Sequence, residues 1–351
     1  MKWHNLEKQM PTSSKIMHSN PYESCLKIRR YVKKNTIFVL RIIELRDIMA
    51  KYRLCCIGFI TRDKVVTPQE TVCMPGGTAY YFARAISHLQ PEGFQLVTAV
   101  GEDDLSVVED IRKLGIDVVC RTAPQSVCFE NIYHSVNQSD RTQRVTAVAA
   151  PFGLEELKVA DAEVIHLGSL LQSDFSVEVI KHLATRGKVT ADVQGFLREV
   201  QQEAVMPVDW TEKREALRYI HTLKANRDEM LTITGCEEPH EAALILADWG
   251  VKEVVLTFDE EGSLIYTRGE FTEVPAYPTA KLIDATGCGD TYMVGYLYQR
   301  SLGASPYEAG CFAAAMCTIK LQGFGPFNAN EQAVRQIMSS SSSLEKLGIK
   351  I

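Results

Sequence analysis

The segment Asp284-Ala-Thr-Gly-Cys-Gly-Asp290 runs straight into an apolar-spaced stretch, Thr291-Tyr-Met-Val-Gly-Tyr-Leu. Two glycines at the mouth of a helix expose backbone N–H groups where the helix dipole favours an anion. Asp290 falls in the first turn of that helix, beside whatever the turn holds. A carboxylate there can take a proton from a hydroxyl that attacks phosphorus. On spacing alone the same residues also describe a Gly-rich strand-to-helix turn whose aspartate only favours the dipole. Residues 287–289 are not a Walker loop, because no Gly-Lys-[Ser/Thr] follows.

Four further sets of residues could carry chemistry, and each has a plainer structural reading. Met74-Pro-Gly-Gly-Thr-Ala79 places Gly76 and Gly77 before a helical pattern; paired glycines admit a ligand close to the backbone, or supply a positive φ for a turn. Asp63 follows the first strand pattern, at the end where α/β sheets bind ligands, and a lone acid there also serves a turn. Asn226-Arg-Asp-Glu229 fits a helix capping box, or a carboxylate that holds magnesium through water. Asp192 ends another strand pattern and is either a turn residue or a site acid.

The elements that must position these residues alternate. Strand patterns at 54–60, 95–100, 118–120, 164–167, 188–193, 219–224 and 254–258 are interleaved with helical ones at 78–89, 105–114, 177–185, 239–249, 288–302 and 306–321. In the 78–89 pattern Ala79, Phe82, Ala83 and Ile86 share one side. Such alternation implies βαβ units and a mostly parallel sheet covered on both faces. Residues 262–274 read as a hairpin turning at Arg268-Gly269. Two strand-like stretches break the rhythm, about 65–74 and 126–150, the second with a polar turn at 137–140; they are read as an antiparallel lid over a site or as a plain surface hairpin. Serines 339–343 mark a flexible tail, 339–351.

The chain has 351 residues, 46% hydrophobic and 23% charged, with a formal net charge of −6. That balance speaks against a dedicated nucleic-acid binder, and no apolar run reaches the ~20 residues of a membrane span. Residues 1–48 hold ten Lys/Arg against four Asp/Glu, so 49–351 carry −12. This shift marks 1–48 as a basic extension outside a domain covering 49–338. The extension matches neither a secretory signal nor, except in part, a transit peptide, and Met49 is an alternative start. The ten cysteines form no C-x-x-C pair and read as reduced thiols of a cytoplasmic protein.

Taken in order, Gly58…Asp63, Gly76-Gly77, Gly101-x-Asp103, Asn226-x-x-Glu229 and Asp284-x-Thr-Gly-x-Gly-Asp290 resemble the ribokinase-like carbohydrate kinase family, often called the PfkB family, over about residues 52–330. The resemblance implies a doubly wound α/β domain, its mostly parallel sheet flanked by helices, with a small β lid. It implies transfer of the ATP γ-phosphoryl group to an alcohol of a sugar, nucleoside or cyclitol. Carried over by position, it implies Asp290 as catalytic base and Gly287, Cys288 and Gly289 as the anion hole. Asn226 belongs to the phosphate motif and Glu229 holds the metal. Asp63, Gly76, Gly77 and Asp192 meet the acceptor, and Thr257, Gly262 and Thr286 meet the nucleotide. The implied cofactors are ATP and Mg2+, with K+ near the 284–290 turn in many members, and the implied partner beyond the small-molecule alcohol is a second copy through the lid.

Two positions depart from the family pattern. The T-x-G-x-x-G nucleotide loop, Thr257 to Gly262, has Asp259 as its middle residue, and the Asn usually four places after the glycine pair is Tyr81. The runs Thr190-Ala-Asp-Val-Gln-Gly-Phe-Leu-Arg198 and Leu223-Lys-Ala-Asn-Arg-Asp-Glu229 are similar to stretches of the family's inositol kinases, which also lack that Asn. A myo-inositol-like acceptor is therefore expected. The alternatives are a nucleoside or other sugar kinase of the same family, or a non-catalytic sugar- or nucleotide-binding regulator. Retention of Asp290 and the 287–289 turn speaks against the regulator. The lack of G-x-G-x-x-G after the first strand speaks against a nucleotide-dependent oxidoreductase.

Overall fold

The computed structural model describes residues 50–67, 71–89, 91–133, 141–279 and 281–346. The 1–48 extension and the polar turn at 137–140 lie outside the described residues. Fifteen strands and nine α-helices are described, sorted into one large sheet, one small sheet and the helices that cover the large one.

The large sheet holds β1 (Tyr52–Gly58), β4 (Phe94–Gly101), β5 (Asp117–Ala123), β8 (Ala162–Gly168), β9 (Lys188–Asp192), β12 (Ile220–Asn226), β13 (Glu253–Thr257), β14 (Ser263–Thr267) and β15 (Glu270–Val274). The small sheet holds β2 (Thr61–Val66), β3 (Thr71–Gly76), β6 (Val127–Tyr133), β7 (Arg141–Ala147), β10 (Arg198–Gln201) and β11 (Ala204–Pro207). The large sheet has the order β15-β14-β13-β12-β9-β8-β1-β4-β5, parallel from β5 to β13, with the β14–β15 hairpin antiparallel at its edge. The helices are α1 (Gly77–Ile86), α2 (Leu105–Arg112), α3 (Val177–Ala184), α4 (Lys213–Ala216), α5 (Arg227–Thr234), α6 (Pro239–Asp248), α7 (Cys288–Ser301), α8 (Pro306–Lys320) and α9 (Glu331–Lys346).

The strand alternation sorts side chains into two cores. On β1, Cys55 and Ile57 join one core with Leu167, Ala191, Leu223 and Leu256. Leu54 and Cys56 point the other way, into a core with Phe82, Tyr296 and Phe312. A strand buried on both faces needs a continuous apolar run rather than an alternating one, and every residue of β4 is buried. The doubly wound fold with a β lid expected from the sequence is thus the one found.

The lid differs in detail from its expected bounds. Its first stretch is two strands, β2 and β3, rather than one segment at 65–74, and Asp63 sits within β2 rather than in a turn after β1. The sheet is mixed: β2 pairs with β6 in parallel, while β2–β3, β6–β7, β10–β11 and β11–β7 are antiparallel. The β10–β11 hairpin carried no turn signal in the sequence. Its two turn residues, Gln202 (φ 49°) and Glu203 (φ 68°), take the left-handed conformations that Asn-Gly or Gly usually supplies. The Glu203 carbonyl accepts the Val145 N–H at 2.8 Å, so a bond to the neighbouring strand holds this turn in place of local preference. The serine tail is also corrected: α9 continues through the serines to Lys346. Its own Val334 is fully buried, and the Ser339 and Ser340 hydroxyls donate to Gln336 O, the local bond that lets serine sit in a helix.

Helix α7, which starts at the Gly-rich turn, is buried along most of its length and packs against α8. At the contact stands Gly295, where a Cβ would meet Met316 Sδ at 2.8 Å and the Ala313 Cα at 2.9 Å. The backbone atom cannot swing aside, so Gly295→Val is expected to destabilise the fold by about 1–3 kcal/mol, the usual cost of overpacking. Urea unfolding checks this; an unchanged midpoint would show that α7 and α8 separate freely.

Candidate functional site

At the middle of the large sheet β1 lies between β4 and β8, so the chain leaves β1 to one side and later returns on the other. This reversal opens a crevice at the C-terminal strand ends. Gly58 and Gly168 face each other there in register. A Cβ on Gly168 would stand 2.8 Å from the Thr78 methyl, so the first turn of α1 lies directly over the crevice. The Thr78 hydroxyl hydrogen-bonds the Asp290 carboxyl in the first turn of α7. Two helix N-termini therefore meet at one point, and both dipoles favour an anion between them.

Beneath them lies a set of buried charges. Lys224 on β12 is the register partner of Asp192 on β9, and its ammonium donates to Asp192 Oδ2 at 2.6 Å. Burial alone would push the Lys224 ammonium down; Asp192 and Glu229 outweigh it and hold it well above its usual value. Glu229 completes a capping box on α5, its Oε2 accepting the Asn226 N–H while Asn226 Oδ1 accepts the Glu229 N–H. Its other oxygen accepts from Gln194 Nε2 at 3.2 Å. Burial and the Asp192 carboxylate push the Glu229 carboxyl up. For Asp290, burial and then the Asp192 carboxylate push the carboxyl up to about 6, against the Thr78 bond and Lys224. A carboxyl poised there can take a proton from an alcohol near neutral pH.

The 287–289 turn wraps this cluster. Gly287 has φ 74°, and a Cβ on it would strike the Tyr81 ring at 2.3 Å; on Gly289 it would stand 2.9 Å from Lys224 Nζ. Glycine is thus required twice, once for a ring and once for an ammonium. The Cys288 N–H donates to Ala285 O, which leaves the first-turn N–H groups of Gly289 and Asp290 without intrahelical acceptors. Thr286 is exposed, with its N–H on Asp284 Oδ1 at 2.9 Å. Thr257 pairs in register with Asn226, which brings the end of β13 beside α5. Past it, Gly262 (φ 95°) fits only as glycine, since a Cβ would lie 2.1 Å from Val274 O. Asp259 sits at φ 48°. The loop therefore keeps a glycine-like backbone at the departing position and adds a carboxylate, which aspartate tolerates better than most residues.

On the lid side, Asp63 Oδ1 accepts the Thr61 hydroxyl at 2.6 Å, and Gly76 makes room for it, since a Cβ there would overlap Asp63 Oδ2. Gly77 (φ 82°) turns the chain into α1. Burial pushes the Asp63 carboxyl up to about 6, the Thr61 bond opposing. The cations flanking Asp63 are engaged: Arg62 with Asp104 and Lys64 with Glu130, both at 2.7 Å.

The fold thus gathers Asp290, Asp192, Glu229, Asn226 and the 287–289 turn around Lys224, with Asp63, Gly76 and Gly77 at the lid edge and Thr257, then Gly262, at the end of β13 beside Asn226. Lys224, Thr78 and Gln194 were not singled out from the sequence. A lysine inside the strand run Ile220–Asn226 was the available signal for the first, since buried lysine needs a partner. Thr78 and Gln194 carried none. Among the described residues no three His, Cys, Asp or Glu side chains form a metal cage, and no helix is long and apolar enough to cross a membrane.

Comparison with known proteins agrees with this geometry. A model of the pfkB family of carbohydrate kinases matches residues 46–333. The chain is 30% identical over 266 residues to a cytidine kinase of Thermococcus kodakarensis, covering 71% of this chain and 89% of the relative. It is similar in fold to a pyrophosphate-dependent kinase in the ribokinase family complexed with a pyrophosphate analog and myo-inositol (TM-score 0.70, 24% identity, 81% of this chain and 99% of that one). It is likewise similar to Arabidopsis thaliana ribokinase complexed with ribose and ATP (TM-score 0.66, 21% identity, 83% and 99%). A crevice where two helix starts meet, an aspartate poised at their junction and a family match over most of the chain lead to one conclusion: the protein belongs to the pfkB family of carbohydrate kinases, ATP-dependent phosphotransferases that act on hydroxyl groups.

Proposed function

We propose that the acceptor is a neutral polyol of the cyclitol class, myo-inositol-like, held between Asp63 and the 287–289 turn with Asp290 taking the proton of the attacking hydroxyl. The supporting observation is the junction of α1 and α7. Asp290 stands there with a carboxyl near 6, bonded to Thr78, beside N–H groups that can receive the transferring phosphoryl charge. Phosphoryl transfer asks for positioning and charge neutralisation more than for covalent chemistry, and this junction offers both.

The acceptor class is supported by charge. The cations that flank Asp63, Arg62 and Lys64, are already paired to acids, so neither is uncommitted for a sugar phosphate. Tyr81 offers a ring where the family's amide would meet a furanose hydroxyl. For the donor, Asp192, Glu229 and Asp290 against Lys224 leave an excess of negative charge, which fits Mg2+. That ion is usually bound by one or two carboxylates with substrate phosphates and water. Glu229, held by its capping box, would hold it through water, and the ion would neutralise phosphate charge. The cytidine kinase relative favours a second reading, a nucleoside acceptor.

ADP release with Mg-ATP against cyclitols, nucleosides, free sugars and sugar phosphates separates these readings. Cyclitols are expected to lead and sugar phosphates to be inert; cytidine ranked above every cyclitol would establish the nucleoside reading. With the leading acceptor, Asp290→Asn is expected to lower turnover roughly 10²–10⁴-fold, the contribution of a positioned base. ATP affinity and unfolding midpoint should hold or improve, because the charge removed is one that burial disfavours. Near-normal turnover would reduce Asp290 to a dipole partner.

The pH profile tests the same carboxyl. A base must be deprotonated, so activity rests on the form that dominates above its pKa. Because the Asp290 carboxyl is raised to about 6, kcat/KM should fall as pH drops through about 6 rather than through the ordinary aspartate range. Asp63, also near 6, steepens that limb. An acid limb centred near 4 would show that neither raised carboxyl controls the reaction.

A further inference from the structure

We propose that the Lys320 ammonium is a built-in monovalent cation for the 284–290 turn, a positioning residue that makes potassium unnecessary in this enzyme. The family resemblance leads one to expect K+ near this turn, and the residues present do not fit it. Lys320, the last residue of α8, has a side chain with no exposed surface. Its ammonium donates to the Asp284 carbonyl at 2.7 Å and to Asp284 Oδ2 at 2.9 Å, and reaches Gly323 O at 3.5 Å. Backbone and carboxylate oxygens converging on one positive charge are the donor set a potassium ion would take. A primary ammonium has the same charge and nearly the same size, with three donors to spend. A potassium ion on the same oxygens would stand against the ammonium, unshielded by water.

The position gives the ammonium a task beyond local packing. Asp284 begins the turn and is bonded three ways: Oδ1 accepts the Thr286 N–H, while Oδ2 accepts both Lys320 and the Gly325 N–H at 3.2 Å. The Ile283 N–H donates to Leu321 O at 2.8 Å, a second tie across the same gap. Lys320 therefore fixes the peptide from which residues 285–289 spring, and with it the aim of the Gly289 and Asp290 N–H groups. It also lies at the C-terminus of α8, where the dipole favours a cation. Burial raises the Asp284 carboxyl, but the Lys320 and Thr286 bonds outweigh it and hold the group below its usual value.

The inference rests on the family's phosphoryl transfer and not on the identity of the acceptor, and one of its two readouts needs no catalysis. Rates with Mg-ATP and the leading acceptor, and thermal unfolding midpoints, would be measured for the full chain in potassium and in tetramethylammonium chloride at equal ionic strength. The wild type should change by less than about twofold in rate, with no potassium-specific midpoint shift. Lys320→Met should lose roughly tenfold or more in kcat in tetramethylammonium, as expected when a half-buried carboxylate loses its charged donor. It should recover in potassium or ammonium chloride, with a midpoint that rises in those salts alone. A wild type activated several-fold by potassium would overturn the proposal whether or not the variant folds. So would a Lys320→Met protein with wild-type rate and midpoint in tetramethylammonium, or one that no monovalent cation restores. If no acceptor is turned over, the midpoint comparison still decides the cation question while the acceptor proposal fails separately.

Discussion

The ion pair between Lys224 and Asp192 organises the centre of this molecule. It joins adjacent parallel strands at their C-terminal ends, with both side chains almost withdrawn from water. Removing one partner of such a pair typically costs about 3–5 kcal/mol, because the other is left as an uncompensated buried charge. Much of what surrounds the pair accommodates it. Gly289 has no side chain because the ammonium stands beneath it. Gln194 ties the turn after β9 to Glu229, its N–H on Asp192 Oδ1 and its amide on the Glu229 carboxylate. The raised Asp290 carboxyl owes part of its shift to Asp192.

A second buried lysine repeats the device at the other end of the α7 start. Lys224 lies under the turn at Gly289, and Lys320 holds its beginning at Asp284. Between these two cations the backbone is left few degrees of freedom, so the first-turn N–H groups of Gly289 and Asp290 keep a fixed direction. The lid contributes an acid rather than a cation. Asp63 is presented over Gly76 by a strand pair, and its neighbouring Arg62 and Lys64 are drawn away to Asp104 and Glu130. Charge is thus divided across the crevice, with paired lysines beneath the Gly-rich turn and a carboxyl at the lid edge.

Backbone conformation shows how departures from a family pattern can be absorbed. Asp259 stands where the family pattern has glycine and itself takes a positive φ (48°), the conformation a glycine would supply, while adding a charge. Tyr81 stands where an asparagine is usual, and its ring lies against Gly287. Here a ring takes the place of an amide on the crevice wall, and it packs so closely that residue 287 has room only for glycine.

Much of this was legible in the amino-acid order. The parallel sheet could be read because strands buried on both faces must be continuous apolar runs, and the helices because their apolar residues recur on one side. The Arg268-Gly269 hairpin turned where expected because its glycine states the conformation needed (φ 85°). The residues from Asp284 to Asp290 and the pair Gly76-Gly77 announced themselves because close backbone approach admits little but glycine. The β10–β11 hairpin was silent, since its left-handed Gln202 and Glu203 are held by a bond to β7 that does not exist until the strands meet. Thr78 was silent, and Lys224 and Lys320 could be read only as lysines in apolar segments, because their partners come from 32 residues away, as for Lys224 and Asp192, or 36, as for Lys320 and Asp284. Local preference and spacing are properties of the chain alone. Which buried charge meets which is decided only when distant segments close the crevice and exclude water.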